Sequence, residues 1–345
     1  MKTILVTGGA GFIGSNFVRY ILENYPTYRV VVLDILTYAG NTDNLPKDML
    51  AQQSEPDARL TFWYGNVCNA DLVSTLMGDV DTVVHFAAES HVTRSIYDNK
   101  VFFETDVMGT QVIANSVLNH KNVERFIHIS TSEVYGSAEG EVMDEEHILN
   151  PMSPYASAKC GADRLVYSYW ATYDIPAVII RPFNNYGPNQ HLEKAVPRFI
   201  TSALLGEPMT VHGRGEAERD WLYVGDHCQA LDKALHVDIN KIKGQVINLG
   251  TGVSTSVGDI AKKVKAMTNA ESEIVFVGDR PGQVVRHTSS TQKAKELLDW
   301  KATTNFDDGL AKTIAWYKDN PKWWEKSLWL RKVPIRTASG KVEFH

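Results

Sequence analysis

Cysteine is scarce in this chain of 345 residues, and the three present, Cys68, Cys160 and Cys228, lie far apart with no C-x-x-C pair. An odd, scattered set argues against a disulfide framework and suits a reducing compartment. Eleven histidines form no H-x-H or H-x-x-x-H pair, so no metal site is expected. No apolar run approaches the ~20 residues that a membrane-spanning helix needs. The N-terminus runs straight into a strand-like segment with no room for a secretion signal, and the expected location is cytoplasmic. Positive charge is not in excess. The formal net charge is −6, without the basic footprint of a nucleic-acid binder. Neither membrane nor nucleic acid is therefore an expected partner. There is no internal repeat and no low-complexity stretch. With 43% apolar and 22% charged residues, the chain suits a globular protein of about two domains.

What is present begins at residue 3. Thr3-Ile4-Leu5-Val6-Thr7 reads as a buried strand, and Gly8-Gly9-Ala10-Gly11-Phe12-Ile13-Gly14 follows it into a helical pattern. Gly8, Gly11 and Gly14 let the chain turn sharply and let a pyrophosphate approach the backbone. The helix start then offers free N–H groups to that anion. Asp34 ends the next apolar run, 20 residues past Gly14, where a carboxylate can accept from a ribose 2′-hydroxyl and repel a 2′-phosphate. The expected cofactor is NAD rather than NADP.

Apolar runs at 3–7, 30–34, 60–64, 82–86, 126–130 and 177–181 alternate with helical patterns that include 12–24, 101–118 and 154–173. This rhythm predicts an α/β fold with a Rossmann-type doubly wound parallel sheet. Gly8, Asp34, Ala87, Thr131 and Arg181 sit at strand ends and should converge on one crevice. After Pro182 the texture changes to turn clusters and short β runs. The expected division is an NAD-binding domain over 1–182, with segments near 225–250 returning to it. An interleaved, smaller α/β substrate domain spans 183–330, and 331–345 form a tail. Trp323, Trp324 and Trp329 read as packing residues.

Tyr155 and Lys159 stand four apart, on one helix face, just after Thr131-Ser132-Glu133. A lysine ammonium near a phenol favours the phenolate, which gives a base for a sugar or alcohol hydroxyl. Such a base calls for a hydride acceptor, and the glycine loop supplies its site.

Together these motifs resemble the extended short-chain dehydrogenase/reductases, and among them the nucleotide-sugar 4,6-dehydratases that act on dTDP-glucose. The resemblance covers roughly residues 1–320 and is narrowest at Asp34-Ile35-Leu36-Thr37-Tyr38-Ala39-Gly40-Asn41 and Arg219-Asp220-Trp221-Leu222-Tyr223-Val224. It implies that Tyr155 takes the proton of the sugar 4-hydroxyl, Thr131 hydrogen-bonds the 4-oxygen, Lys159 binds the nicotinamide ribose and Glu133 deprotonates C5. It places Phe12, Ile13, Thr37, Asn66, Val67, Ala87 and Ala88 at the cofactor beside the glycines and Asp34. It places Ser90, His91, Asn184, Asn185, Glu193, Lys194, Arg219, Asn248 and Arg286 at the nucleotide-sugar substrate. It also implies a homodimer through helices near 101–118 and 154–173.

Two departures stand out. Ser132 occupies a position where the resembled enzymes carry aspartic acid, as general acid for the departing 6-hydroxyl. His287 follows the segment 279–285 and Arg286, where they carry tyrosine. The Thr-Ser-Glu order resembles that of dehydratases acting on GDP-mannose and of some acting on UDP-N-acetylglucosamine, which implies that Glu133 serves both proton transfers or that a water helps. UDP-glucuronate decarboxylases and their relatives share it too. A decarboxylase or a 4-epimerase is thus the second reading, and a catalytically silent dinucleotide sensor the third.

Overall fold

The short apolar runs become parallel strands of one sheet. The computed structural model describes residues 2–138, 140–278, 284–336 and 341–344. In chain order the strands are β1 (Thr3–Thr7), β2 (Arg29–Asp34), β3 (Leu60–Tyr64), β4 (Thr82–His85), β5 (Arg125–Ile129), β6 (Ala177–Pro182), β7 (Asn184–Tyr186), β8 (Met209–His212), β9 (Glu218–Tyr223), β10 (Val246–Leu249), β11 (Ser254–Ser256), β12 (Ile274–Val277), β13 (Arg286–His287), β14 (Pro334–Arg336) and β15 (Val342–Phe344). The main sheet runs β10-β6-β5-β4-β1-β2-β3, every neighbouring pair parallel. The chain winds outward from β1 to β3 and then crosses back to lay β4 beside β1. That reversal opens a crevice at the carboxyl ends of β1 and β4.

Both faces of the sheet are covered, so the middles of its strands read as continuous apolar runs rather than alternating. Ile4, Val6, Val84, Ile127 and Val178 pack on one face with residues of the helices Phe12–Asn24 and Val224–His236. Leu5, Val83, Phe126 and Ala177 pack on the other, against Ala70–Met77, Thr110–Asn119 and Pro154–Tyr173. Each fully buried Leu, Ile, Val or Phe contributes about 1.5–3 kcal/mol. The helix Val224–His236 and β10 both belong to this layer although they come late in the chain.

The helix carrying Tyr155 starts where its local chemistry dictates. Ser153 Oγ accepts from the Ala156 N–H at 3.1 Å, and Pro154 takes the first turn, where its missing N–H costs nothing. Asp174, left-handed at φ 56°, ends it. The helix expected over 101–118 is instead three consecutive segments. Lys100–Phe102 and Thr110–Asn119 flank a π-helical stretch, Phe103–Gly109. The wider turn carries Asp106 into the interior, and Thr110 Oγ1 donates to the Asp106 carbonyl at 2.6 Å.

A smaller lobe is built around β9, which pairs with β7, β11 and β13. Its core holds Tyr186, Phe199, Met209, Trp221, Ile260 and Tyr317, enclosed by the helices Ala195–Leu205, Val257–Thr268 and Phe306–Asp319. Trp324 is buried there and donates to the Tyr317 carbonyl at 2.8 Å. Trp323 donates to Asn44 Oδ1 at 2.7 Å and ties the two lobes together, while Trp329 stays exposed. No helix among the described residues is long and apolar enough to cross a membrane.

Candidate active site

A cavity of about 480 Å³ occupies the crevice between the lobes. At one end lies the glycine loop. Gly8 is left-handed at φ +70°, and a Cβ there would meet the backbone nitrogen of Ala87 at 2.6 Å. A Cβ on Gly14 would meet the Gly8 carbonyl at 2.4 Å, so that glycine lets the helix pack onto the loop. The helix Phe12–Asn24 begins without a side-chain cap, which leaves its first-turn donors to a ligand. Asp34 Oδ2 accepts from the Ala10 N–H at 3.0 Å, and Oδ1 from Leu36 N–H at 2.8 Å. Burial pushes its carboxyl above the ordinary carboxylate range, and these two amides draw it only partly back. Phe12, Ile13, Thr37, Asn66, Val67, Ala87 and Ala88 line the same end. The cradle fits a dinucleotide: open backbone at the pyrophosphate position, and a carboxylate at the next strand end.

Thr131, Ser132, Glu133, Tyr155 and Lys159 converge at the other end. β5 delivers the first three through a tight turn, in which the Glu133 N–H donates to Thr131 Oγ1 at 3.2 Å. Lys159 Nζ donates to the Ile129 carbonyl at 2.7 Å. The expectation that Lys159 lowers the Tyr155 phenol is corrected here. Burial pushes the phenol above its ordinary range, and a hydrogen bond with Thr131 draws it partly back. The Asp106 and Glu133 carboxylates push it up further. The reason lies under the helix. Lys159 is buried, which lowers its own pKa, and Asp106 is the foremost charge opposing that shift. Asp106 Oδ1 accepts from the Glu89 N–H at 2.8 Å, while its Oδ2 has no hydrogen-bond partner among the described residues. Burial pushes the Asp106 carboxyl up as well, with Lys159 drawing it partly back, so the lysine is engaged by the Ile129 carbonyl and by Asp106.

Ser90, His91, Asn184, Asn185, Glu193, Lys194 and Arg219 complete the walls. Glu193 is fixed by Arg94 Nε at 2.7 Å, and Lys194 Nζ donates to the Ser90 carbonyl at 2.6 Å. Two expected residues lie elsewhere. Asn248 is buried beneath the segment 143–145: its Nδ2 donates to the Met143 carbonyl, its Oδ1 accepts from Tyr135, and its N–H donates to Glu145. Arg286 is exposed, is not among the residues that line the cavity, and pairs with Glu218 at 3.3 Å. Residues 279–283 of the stretch preceding it lie outside the described residues.

Sequence reasoning missed Arg94, whose guanidinium also stacks over the Tyr38 ring, 4.1 Å from its centroid. It missed Glu89, which lines the cavity and accepts from the Thr37 hydroxyl. Asp106 carried a signal: a carboxylate on the helix face otherwise marked by Phe102, Thr110 and Ile113. Near the reacting end His287 offered only its replacement of a tyrosine.

A doubly wound parallel sheet with this cradle at its switch point, joined to a Tyr155–Lys159 pair, defines an NAD-dependent extended short-chain dehydrogenase/reductase. Within that class the chain belongs to the GDP-mannose 4,6 dehydratase family, whose sequence pattern matches residues 5–313. It is 44% identical over 316 residues to the low-salt glycan biosynthesis protein Agl12 of Haloferax volcanii, covering 91% of this chain and 98% of that one. It is 40% identical over 327 residues to a dTDP-glucose 4,6-dehydratase of an Actinoplanes species, covering 93% and 99%. Among solved structures it is similar to DesIV, a dTDP-glucose 4,6-dehydratase of Streptomyces venezuelae determined with NAD and TYD bound. The TM-score is 0.87 at 39% identity, covering 94% of this chain and 99% of that one.

Proposed function

We propose that this protein is an NAD-dependent nucleotide-sugar 4,6-dehydratase, a hydro-lyase converting an NDP-hexose to the NDP-4-keto-6-deoxyhexose. The substrate is dTDP-glucose or a UDP-hexose, and the dTDP-glucose dehydratases among its relatives support the first. One observation carries the reading: Thr131, Glu133 and Tyr155 share a cavity with Asp34 and the glycine loop.

Tyr155 takes the proton of the 4-hydroxyl while Thr131 hydrogen-bonds the 4-oxygen. Bound in the glycine cradle beside Asp34, NAD would supply the hydride chemistry between C4 and C6 and a nicotinamide cation that favours the Tyr155 phenolate. On this reading Lys159, which donates to the Ile129 carbonyl, also binds the nicotinamide ribose. A 4-ketone acidifies C5, because the electron pair left behind delocalises onto the ketone oxygen. Glu133 takes that proton as general base, and the 6-hydroxyl leaves as water. Gly8, Gly11, Gly14, Phe12 and Ile13 present backbone to the pyrophosphate, and Asp34 selects NAD over NADP. Thr37, Asn66, Val67, Ala87 and Ala88 complete the cofactor site. Arg219, Lys194, Asn184, Asn185, Ser90, His91 and Glu193 serve the nucleotide sugar, with Arg219 and Lys194 as the cations for its diphosphate. On this reading 1–182 with the returning segments near 225–250 hold the cofactor, and 183–330 hold the sugar nucleotide.

A homodimer fits the helices around 101–118 and 154–173, which leave Val101, Phe103, Met108, Tyr167 and Tyr173 exposed. Light scattering should give twice the monomer mass.

The deciding experiment is incubation with a panel of nucleotide sugars, read by mass and NMR. Loss of water supports the dehydratase. Loss of carbon dioxide from UDP-glucuronate would replace it with a decarboxylase, and unchanged mass with an inverted C4 would replace it with an epimerase. Tight NAD binding with no turnover at all would leave the sensor.

A further inference from the structure

Ser132 and His287, each a departure from the pattern the chain resembles, meet in space although they stand 155 positions apart. His287 is fully buried on β13, beside Arg219 of β9, with the Phe183 ring edge-on at 6.2 Å. Its Nε2 lies 2.5 Å from the Gly136 carbonyl oxygen. A carbonyl only accepts, so Nε2 carries the hydrogen and Nδ1 of the neutral ring is an acceptor. Backbone geometry fixes that carbonyl: Gly136 is left-handed at φ +73°, and a Cβ there would meet the Asn150 carbonyl oxygen at 2.1 Å. Nδ1 lies 3.5 Å from Ser132 Oγ and 4.0 Å from Glu133 Oε1. Of these two neighbours only the Ser132 hydroxyl is a donor to a neutral ring. The charged and titratable groups that bear on His287 are Glu133, Arg219 and His147. Burial outweighs them and keeps the ring neutral.

We infer that His287 is a positioning residue for the elimination half of the proposed reaction: Nδ1 accepts the Ser132 hydroxyl, turns the Ser132 lone pairs to the cavity, and leaves both proton transfers to Glu133. This rests on the dehydratase reading. The Glu133 carboxylate takes the C5 proton. The released C–H electron pair becomes the C5–C6 π bond as the C6–O bond breaks, and the oxygen departs as water with the proton from Glu133. Ser132 accepts a hydrogen bond from the 6-hydroxyl, which turns that oxygen's lone pair toward Glu133. Neither Ser132 nor His287 gains or loses a proton. A serine can therefore stand where the resembled enzymes place an acid.

The test combines imidazole nitrogen-15 spectra of the NAD-loaded protein with kinetics of Ser132→Ala, His287→Leu and His287→Asn. Asparagine can return an acceptor oxygen near the Nδ1 position. His287 should appear as the neutral Nε2–H tautomer, and its Nδ1 signal should move downfield in Ser132→Ala as a hydrogen bond is lost. His287→Leu should lower kcat ~10²-fold through misplacement of the 6-hydroxyl, with KM little changed and NADH accumulating on substrate addition. His287→Asn should recover most of that loss. An Nδ1–H tautomer, an Nδ1 signal unmoved by Ser132→Ala, or wild-type kcat in His287→Leu would each overturn the proposal. If His287→Leu does not fold, the spectra of wild type and Ser132→Ala decide alone. A wild-type protein that dehydrates no sugar nucleotide would defeat the functional reading and, with it, the role given to His287. The spectra would still show separately whether Ser132 donates to His287.

Discussion

The dinucleotide end of the cavity draws on the first 40 residues and a few strand ends, and it works largely through backbone: Gly8, Gly14, an uncapped helix start and two amides on Asp34. The sugar end gathers Glu133, Tyr155, Lys194, Arg219 and His287 from five separate stretches, and it works through side chains. The first is local and tolerant of what surrounds it. The second exists only when the smaller lobe is docked on the sheet. The two ends should therefore respond differently to substitution.

The sharpest separation is expected from Tyr155→Phe. Removing one oxygen should abolish turnover, at the upper end of the ~10²- to 10⁴-fold that proton transfer contributes. Titration calorimetry should show NAD binding nearly intact. If NAD affinity falls with turnover, the two ends are not separable.

Stability should depend most on the buried pair behind Tyr155. Arg181 Nε and Nη2 donate to Asp163 at 2.8 and 2.9 Å, and the Ser130 hydroxyl donates to it at 2.6 Å. Burial raises the Asp163 carboxyl, but Arg181, Arg164 and Ser130 outweigh it and hold it below the ordinary carboxylate range. The unfolded chain then binds the proton more readily than the fold does. The contribution is complete above the unfolded pKa of ~4 and is lost as pH falls through the folded value. Asp163→Asn should cost about 3–5 kcal/mol in urea unfolding at pH 7. The gap to wild type should shrink in acid. An equal gap at pH 7 and well below pH 4 would remove Asp163 as its source.

Glu133→Gln should stop the reaction after oxidation, with kcat down by ~10²-fold or more and NADH absorbance building on substrate addition. Full product without NADH build-up would show that another group takes the C5 proton.

The smallest effect belongs to the dinucleotide end. Asp34→Ala should weaken NAD by ~10-fold, the value of a hydrogen bond to a charged group, and narrow its preference over NADP. Dissociation constants for both cofactors would check this. A wild-type protein that prefers NADP would reverse the assignment.

Legibility followed the same division. The strand–glycine–helix start, Asp34, the capped helix of Tyr155 and the late return of Val246–Leu249 to the sheet were all readable. Each has a signal within a few residues. Asn248 and Arg286 were placed by motif, yet the fold turns one under the 143–145 segment and the other to solvent. Their direction depends on how β10 packs under the distant segment 143–145 and how β13 pairs with β9, which no local pattern specifies. Glu89 lies between Ala88 and Ser90, and Arg94 three residues past His91, but their partners Thr37 and Glu193 lie 52 and 99 positions away.

By itself the sequence determined the parallel sheet, the glycine cradle with its carboxylate, and the four-residue spacing of Tyr155 and Lys159. Apolar periodicity, glycine's freedom at positive φ and helical pitch are properties of neighbours in the chain. Only the tertiary structure decided the charge environment of those residues. Burial beside Asp106 raised the Tyr155 phenol that Lys159 was expected to lower, and the docking of β13 set His287 against Ser132 and Glu133. Electrostatics and hydrogen bonding act through space and depend on burial, so they are settled only when distant segments pack.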